Sequence, residues 1–188
     1  VRRKLRKVEE LLRSVRGIPG VERVYFGTFP SEVRPDFVDE DSLEVIDRYA
    51  DNEHVVIGAQ SGSERVLREV GRGHGVDEVI KAVECARSLG FGAVVDFIFG
   101  LPGEGVEDRR ATLELVRELV GKGARVRAHY FIPLAGTPYY DRLPTPLDRE
   151  TRRELGRMAL EGKLEGAWAH QENLAWEIVR WRRRSLYM

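Results

Sequence analysis

Three short stretches carry most of the residues able to do chemistry: Gln60-Ser61-Gly62-Ser63, Gly71-Arg72-Gly73-His74, and Asp96-Phe97-Ile98-Phe99-Gly100-Leu101-Pro102-Gly103-Glu104. Each lies just after or just inside a short apolar run. Together they offer carboxylates, a guanidinium, amide and hydroxyl groups, and apolar walls, with glycines where a backbone can approach a ligand closely. Asp96 is the most demanding of them, because a carboxylate between Val95 and Phe97 in a buried strand needs a partner. The four histidines, His54, His74, His129 and His170, show no metal-ligand spacing.

Strands and returning helices must position these groups. The apolar runs Val21 to Phe26, His54 to Gly58, Gly92 to Phe99 and Arg125 to Ile132 begin roughly every 30 to 40 residues, the length of one strand plus one helix. They are rich in Val, Ile and Phe and alternate only weakly, as in parallel strands covered on both faces. Val76, Val79, Ile80, Val83, Ala86 and Leu89 recur at helical steps and stop at Gly90, which predicts a helix over 76–89. A second helix spans 106–120 and ends at Gly121, while Ser63 caps a short one to about Val70. Asp41 with Glu44 reads as a capping box for a helix over 42–49. The fold class is therefore α/β, a partial (β/α) barrel of parallel strands whose functional groups gather at the carboxyl ends of the strands.

After Ile132 the repeat gives way to Pro133, Gly136, Pro138, Pro144 and Pro146, a loop leaving the sheet. Helices follow, one from Thr145 and Pro146 to about Glu161 and one from Leu174 to Leu186, with Trp168, Trp176 and Trp181 expected to pack them onto the domain.

Over 188 residues the chain is 42% hydrophobic and 33% charged with zero formal net charge, which fits an ordinary globular protein with one sizeable core. No apolar stretch is long enough for a membrane helix and no signal peptide is seen, so a cytoplasmic location is the default. Cys85 is the only cysteine, allows no internal disulfide, and reads as a packing residue. Basic residues crowd both ends, Arg2, Arg3, Lys4, Arg6 and Lys7 at one and Arg180, Arg182, Arg183 and Arg184 at the other. Leu5, Val8, Leu12 and Val15 make the first segment an amphipathic helix with those charges on its solvated face, so nucleic acid is not the expected partner.

Five pieces in order carry a family resemblance: Glu32-Val33-Arg34-Pro35-Asp36, Ile57-Gly58-Ala59-Gln60-Ser61-Gly62, Arg72-Gly73-His74, the run Asp96 to Glu104, and Pro133-Leu134-Ala135-Gly136-Thr137-Pro138. From about Val21 to Tyr140 the chain resembles the second half of a radical S-adenosylmethionine (SAM) core. It is most similar to the branch holding coproporphyrinogen dehydrogenases, tRNA methylthiotransferases and cobalamin-associated enzymes. The resemblance implies residues 1–140 as the carboxyl-terminal part of the barrel, an incomplete half-barrel, and 141–188 as a helical extension packed on it. It also implies SAM as cofactor, bound by Glu32, Gln60, Ser61, Arg72 and Asp96. Arg72 would pair with the methionine carboxylate, Asp96 would accept from the ribose or the methionine amine, and Ile98, Gly100, Tyr130 and Ile132 would border the adenine.

Blander readings stand beside each. Glu32 and Arg34 could pair on the surface, Gln60 and Ser61 could simply start a helix, Arg72 could be a turn residue, and Glu104 could sit at a helix start favoured by the dipole.

This sequence departs from the family at one point: three cysteines spaced CxxxCxxC hold a 4Fe-4S cluster there, and Cys85 stands alone here. With a chain opening on Val1, the expectation is a fragment whose cluster ligands lie upstream, inactive by itself. In the complete enzyme an electron donor and a substrate complete the partners. Ala167-Trp168-Ala169-His170-Gln171 is similar to archaeal relatives with a cobalamin-binding domain ahead of the core. A tRNA methylthiotransferase, a phosphate-binding barrel using Gly71 to Gly75, and a cluster-less binding module are the alternatives.

Overall fold

Among the described residues three of the four apolar runs form strands: β1 (His54–Gln60), β2 (Gly92–Phe99) and β3 (Arg125–Tyr130). In the computed structural model, which describes residues 2–28 and 31–185, they form one open parallel sheet in the order β1-β2-β3. The crossovers are helical, α3 (Glu64–Glu69) and α4 (Val76–Ser88) between β1 and β2, and α5 (Val106–Gly121) between β2 and β3. Before the sheet come α1 (Arg2–Arg16) and α2 (Glu40–Tyr49), and after it α6 (Arg149–Leu160) and α7 (Trp168–Ser185). This is the expected α/β half-barrel with carboxyl-terminal helices, open rather than closed.

The chain divides into two units, the first Val1–Ala59, His74–Val95 and Leu119–Arg125, the second Gln60–Gly73, Asp96–Glu118 and Val126–Met188. In the first, Leu12 of α1 and Val45 of α2 are buried with Val24, and Leu5, Val8, Val15 and Tyr49 pack around them. That apolar stripe is the one the helical spacing of α1 predicts. The buried residues of the second include Phe97, Phe99, Leu155 and Met158.

Several expectations need correction. Val21 to Phe26 is not a strand. The backbone N–H groups of Val24 and Phe26 donate to Asp51 Oδ2 at 2.9 Å and Asn52 Oδ1 at 3.0 Å, so side chains satisfy donors that a ladder would have used. Nearby, Val33 alone pairs in parallel with Ile57, and Val56 N donates to Gly27 O at 2.9 Å. Helix α2 is capped by Asp39 and Ser42 in a reciprocal box, two residues ahead of the Asp41 and Glu44 pair. Helix α6 starts at Arg149 because Asp148 caps it, accepting from Thr151 N at 2.8 Å; Pro146 stays in the loop. Helix α7 begins at Trp168, six residues before the predicted Leu174, and Leu186 lies outside the described residues, as do the side chains of Arg2, Arg3 and Lys4. Trp181 is 69% exposed, so it does not pack α7 inward; Ala175 and Val179 do that. Cys85 is half-buried, and burial pushes its thiol pKa up.

On the outer side of β3, Ala128 N donates to Glu165 O at 2.7 Å and Glu165 N to Val126 O at 2.9 Å. Gly166 makes this approach possible, since a Cβ there would lie 2.2 Å from Ala128 O. Among the described residues no helix is long and apolar enough to cross a membrane.

Candidate functional site

The carboxyl end of β1 and the turn after it hold three of the polar groups that the sequence singles out, Gln60, Ser61 and Ser63. Gln60 closes β1, is buried, and has φ +68°, the one non-glycine positive φ among the described residues. A long side chain held in the left-handed region costs about 1 kcal/mol or more, so the surroundings must impose it. The adjoining turn supplies that constraint. Gly62 N donates to Thr112 Oγ1 at 2.9 Å, and a Cβ on Gly62 would lie 2.6 Å from Thr112 Cα, so the turn is seated directly on α5. Ser61 is fully buried in this turn, its hydroxyl 3.3 Å from Thr112 Oγ1 and accepting from Ser63 N at 3.1 Å. Ser63 caps α3 and donates to Asp108 Oδ1 at 2.6 Å. Asp108 also receives Arg65 and Gly105 N, and although burial raises its pKa, these donors bring it below the usual range.

Asp96 lies in the second half of β2. Arg127 of β3 reaches it with a two-pronged fork, Nε to Oδ1 and Nη2 to Oδ2, each 2.6 Å. His129 Nε2 stands 3.8 Å from Oδ1. Burial acts to raise the Asp96 pKa, but His129 and Arg127 outweigh it and hold the carboxyl below its usual range. The sequence does not single out Arg127, and it offers His129 only as a histidine without metal-ligand spacing. A usable signal is present: in β3 the polar Arg125, Arg127 and His129 alternate with buried Val126, Ala128 and Tyr130, which gives one face of the strand to polar groups.

By the same alternation Ile98, half-buried, shares the face of Asp96, and the Tyr130 side chain lies on the other face. Tyr130 is buried, its hydroxyl donates to Thr145 O at 2.9 Å, and burial pushes its pKa up to about 12. Its ring lies against Gly100, where φ is +73° and an added Cβ would come within 2.3 Å of Cε2. Ile132 follows the end of β3 and is half-buried. Arg72 is also half-buried, in the turn after α3, where its N–H donates to Leu67 O at 3.0 Å.

Glu104 is not a solvated helix-start residue. Its side chain is 0% exposed, Oε2 accepts from Gly100 N at 2.7 Å, and Oε1 has no hydrogen-bond partner among the described residues. Burial raises its pKa to about 7 against the opposing effects of Gly100 and Arg109.

Glu32 belongs to the first unit. It is exposed and lines a mainly apolar cavity of about 360 Å³ with Val33, Phe37, Leu43 and Ile46. Arg34, beside it, forks onto Asp36 at 2.9 and 2.8 Å. No group of three or more metal-ligating side chains is found among the described residues.

An open parallel α/β sheet with a buried, cation-paired carboxylate on its middle strand is a half-barrel in class. The particular family follows from comparison: the radical SAM superfamily profile matches residues 2–116, and the chain belongs to that superfamily. It is 33% identical over 159 residues to tRNA-2-methylthio-N(6)-dimethylallyladenosine synthase of Chlorobium phaeovibrioides, a match covering 80% of this chain and 34% of that protein. It is also 33% identical over 124 residues to the oxygen-independent coproporphyrinogen-III oxidase-like protein of Bacillus subtilis, covering 65% of this chain and 24% of that one. In fold it is similar to coproporphyrinogen III oxidase of Escherichia coli, with TM-score 0.58 at 18% identity, over 86% of this chain and 38% of that one. The chain thus spans about a third of the length of the Chlorobium relative. SAM and a 4Fe-4S cluster are the cofactors of the superfamily.

Proposed function

We propose that residues 1–140 are the carboxyl-terminal part of a radical SAM barrel, that 141–188 are its helical extension, and that the complete polypeptide reductively cleaves SAM. The observation that carries this reading is the profile match over residues 2–116, which contains Gln60, Arg72 and Asp96. The donor set fits the ligand. SAM presents a carboxylate, an ammonium, a sulfonium, a ribose diol and an adenine; Arg72 suits the first, Asp96 and Gln60 the cationic and hydroxyl groups, and Ile98 the ring. Glu32 and Ser61 are weaker members, the first exposed and the second engaged in its turn. Gly100, with the Tyr130 ring against it, and Ile132 complete the proposed set as the border of the adenine.

The cluster does not fit these residues, because one cysteine cannot supply three thiolates. We place its ligands elsewhere in the polypeptide. When bound, SAM and cluster supply a one-electron cleavage that yields a 5′-deoxyadenosyl radical able to take hydrogen from a substrate. The residues of this chain bind and orient the cofactor. An electron donor and a cytoplasmic setting complete the proposal.

The match to a tRNA-modifying relative favours a second reading, a methylthiotransferase-type enzyme acting on RNA. It reopens nucleic acid as a partner, against the expectation drawn from the basic ends. Release of 5′-deoxyadenosine by the reduced full-length protein tests the main reading. Arg72→Ala should weaken SAM binding about 10- to 100-fold in calorimetry, with Arg72→Lys recovering part of it. Unchanged affinity in both variants would return Arg72 to a turn residue, and labelled tRNA left unmodified by an otherwise active enzyme removes the second reading.

A further inference from the structure

We propose that Arg127 is a positioning residue for the cofactor site: its fork fixes the Asp96 carboxylate in one orientation and keeps it charged, ready to accept from a cationic or hydroxyl group of SAM. The inference rests on the reading of Asp96 as a SAM contact and adds a residue and a role to it.

The geometry is specific. Both oxygens of Asp96 are engaged by one planar cation at 2.6 Å, which removes the carboxylate's freedom to rotate while leaving further lone pairs on each oxygen. The side chains of Asp96 and Arg127 are one-tenth and one-fifth exposed, so the pair is largely withdrawn from water yet still reachable. In such a place a carboxylate without its cation would take up a proton and lose its attraction for a positive ligand.

A second support comes from α7. Gln171 Oε1 accepts from Tyr130 N at 2.8 Å, which fixes the amide and turns its Nε2 toward His129 Nδ1 at 3.4 Å. An amide nitrogen donates, so this contact favours the tautomer in which Nδ1 accepts and Nε2, the atom 3.8 Å from Asp96 Oδ1, carries the proton. Among the described residues, Arg127 and His129, both on β3, are the charged or titratable groups recorded against Asp96. The same residue that holds the β3 backbone thereby favours one tautomer beside the carboxylate.

The test uses full-length protein labelled with carboxyl-13C aspartate, the Asp96 signal assigned by its loss in Asp96→Asn. In the wild type Asp96 should remain ionised from pH 8 to pH 5. In Arg127→Met its titration should move into that range, and SAM affinity by calorimetry should fall about tenfold more between pH 8 and pH 5.5 than in the wild type. Arg127→Lys, which keeps the charge without the fork, should lie between the two and serves if Arg127→Met fails to fold. An Asp96 titration unmoved in both variants overturns the proposal. Wild-type SAM affinity in Asp96→Asn removes Asp96 from the cofactor site and defeats the reading beneath it, whereas weakened binding in Asp96→Asn with a pH-independent Arg127→Met defeats the inference alone.

Discussion

Strand β2 and the turn after it each bury a carboxyl group, and the pKa values of the two are shifted in opposite directions. Against its burial, Asp96 is held below the usual carboxylate range by His129 and the forked Arg127 guanidinium. Glu104 lies deeper and is pushed up to about 7. Its nearest cation, Arg109, is 3.7 Å from Oε2 and divides its donors between Asp148 Oδ2 at 2.9 Å and Glu104's own carbonyl at 3.1 Å. An arginine offsets the cost of burying a carboxylate best when its fork meets both oxygens; Arg109, which sends Nε and Nη1 to other acceptors, leaves burial in control of Glu104. One group is thus tied across the sheet to β3 and the other holds a turn.

The largest effect should come from the shared hinge of the two regions. Gly100→Ala forces a left-handed alanine against the Tyr130 ring and should cost about 4 kcal/mol in denaturant titration, summing conformational strain and overpacking. A loss under about 1 kcal/mol would show that the turn is not held by this contact.

Next comes the pH dependence of the turn. Glu104 has a folded pKa raised to about 7, so its contribution to stability is fully present below its unfolded pKa and is lost as pH rises through 7. Between pH 4.5 and pH 7 the wild type should lose about 3 kcal/mol relative to Glu104→Gln, which has no proton to release. Parallel stability profiles would break the contrast between the two carboxyls.

The smallest effect sharpens the other half. The folded pKa of Asp96 is depressed, so its contribution is present above the unfolded value and is lost as pH falls through the folded one. Asp96→Asn should leave the fold intact and flatten only the acid limb of the stability profile, below about pH 4. A change near neutral pH instead would mean that Asp96 titrates like Glu104.

How much of this was legible depended on the range of the interactions. The spacing of Val76, Val79 and Val83 announced α4, and Ser63 announced α3, because those signals are local. Val21 to Phe26 misled because its apolar pattern suits a strand, while the groups that divert it, Asp51 and Asn52, lie beyond an intervening helix. Asp96 could be read as needing a partner, but the identity of Arg127, 31 residues away, depends on the pairing of β2 with β3. For Glu104 the obstacle was depth: a carboxylate before a helix usually faces water, and only the turn at Gly100 draws this one inside. Trp181 failed for the converse reason, since a large ring predicts burial only on average.

The backbone neighbours on the two outer strands have a consequence for how molecules of this chain meet one another. Gly27 and Val33 occupy part of the free side of β1, and Glu165 occupies part of the free side of β3, where Gly166 allows it to lie close. A short sheet with bare flanks is a template on which a second copy can add strand by strand, the route to aggregates. Here each flank already spends some of its N–H and C=O groups within its own molecule, which makes recruitment of another chain less favourable without lengthening or closing the sheet.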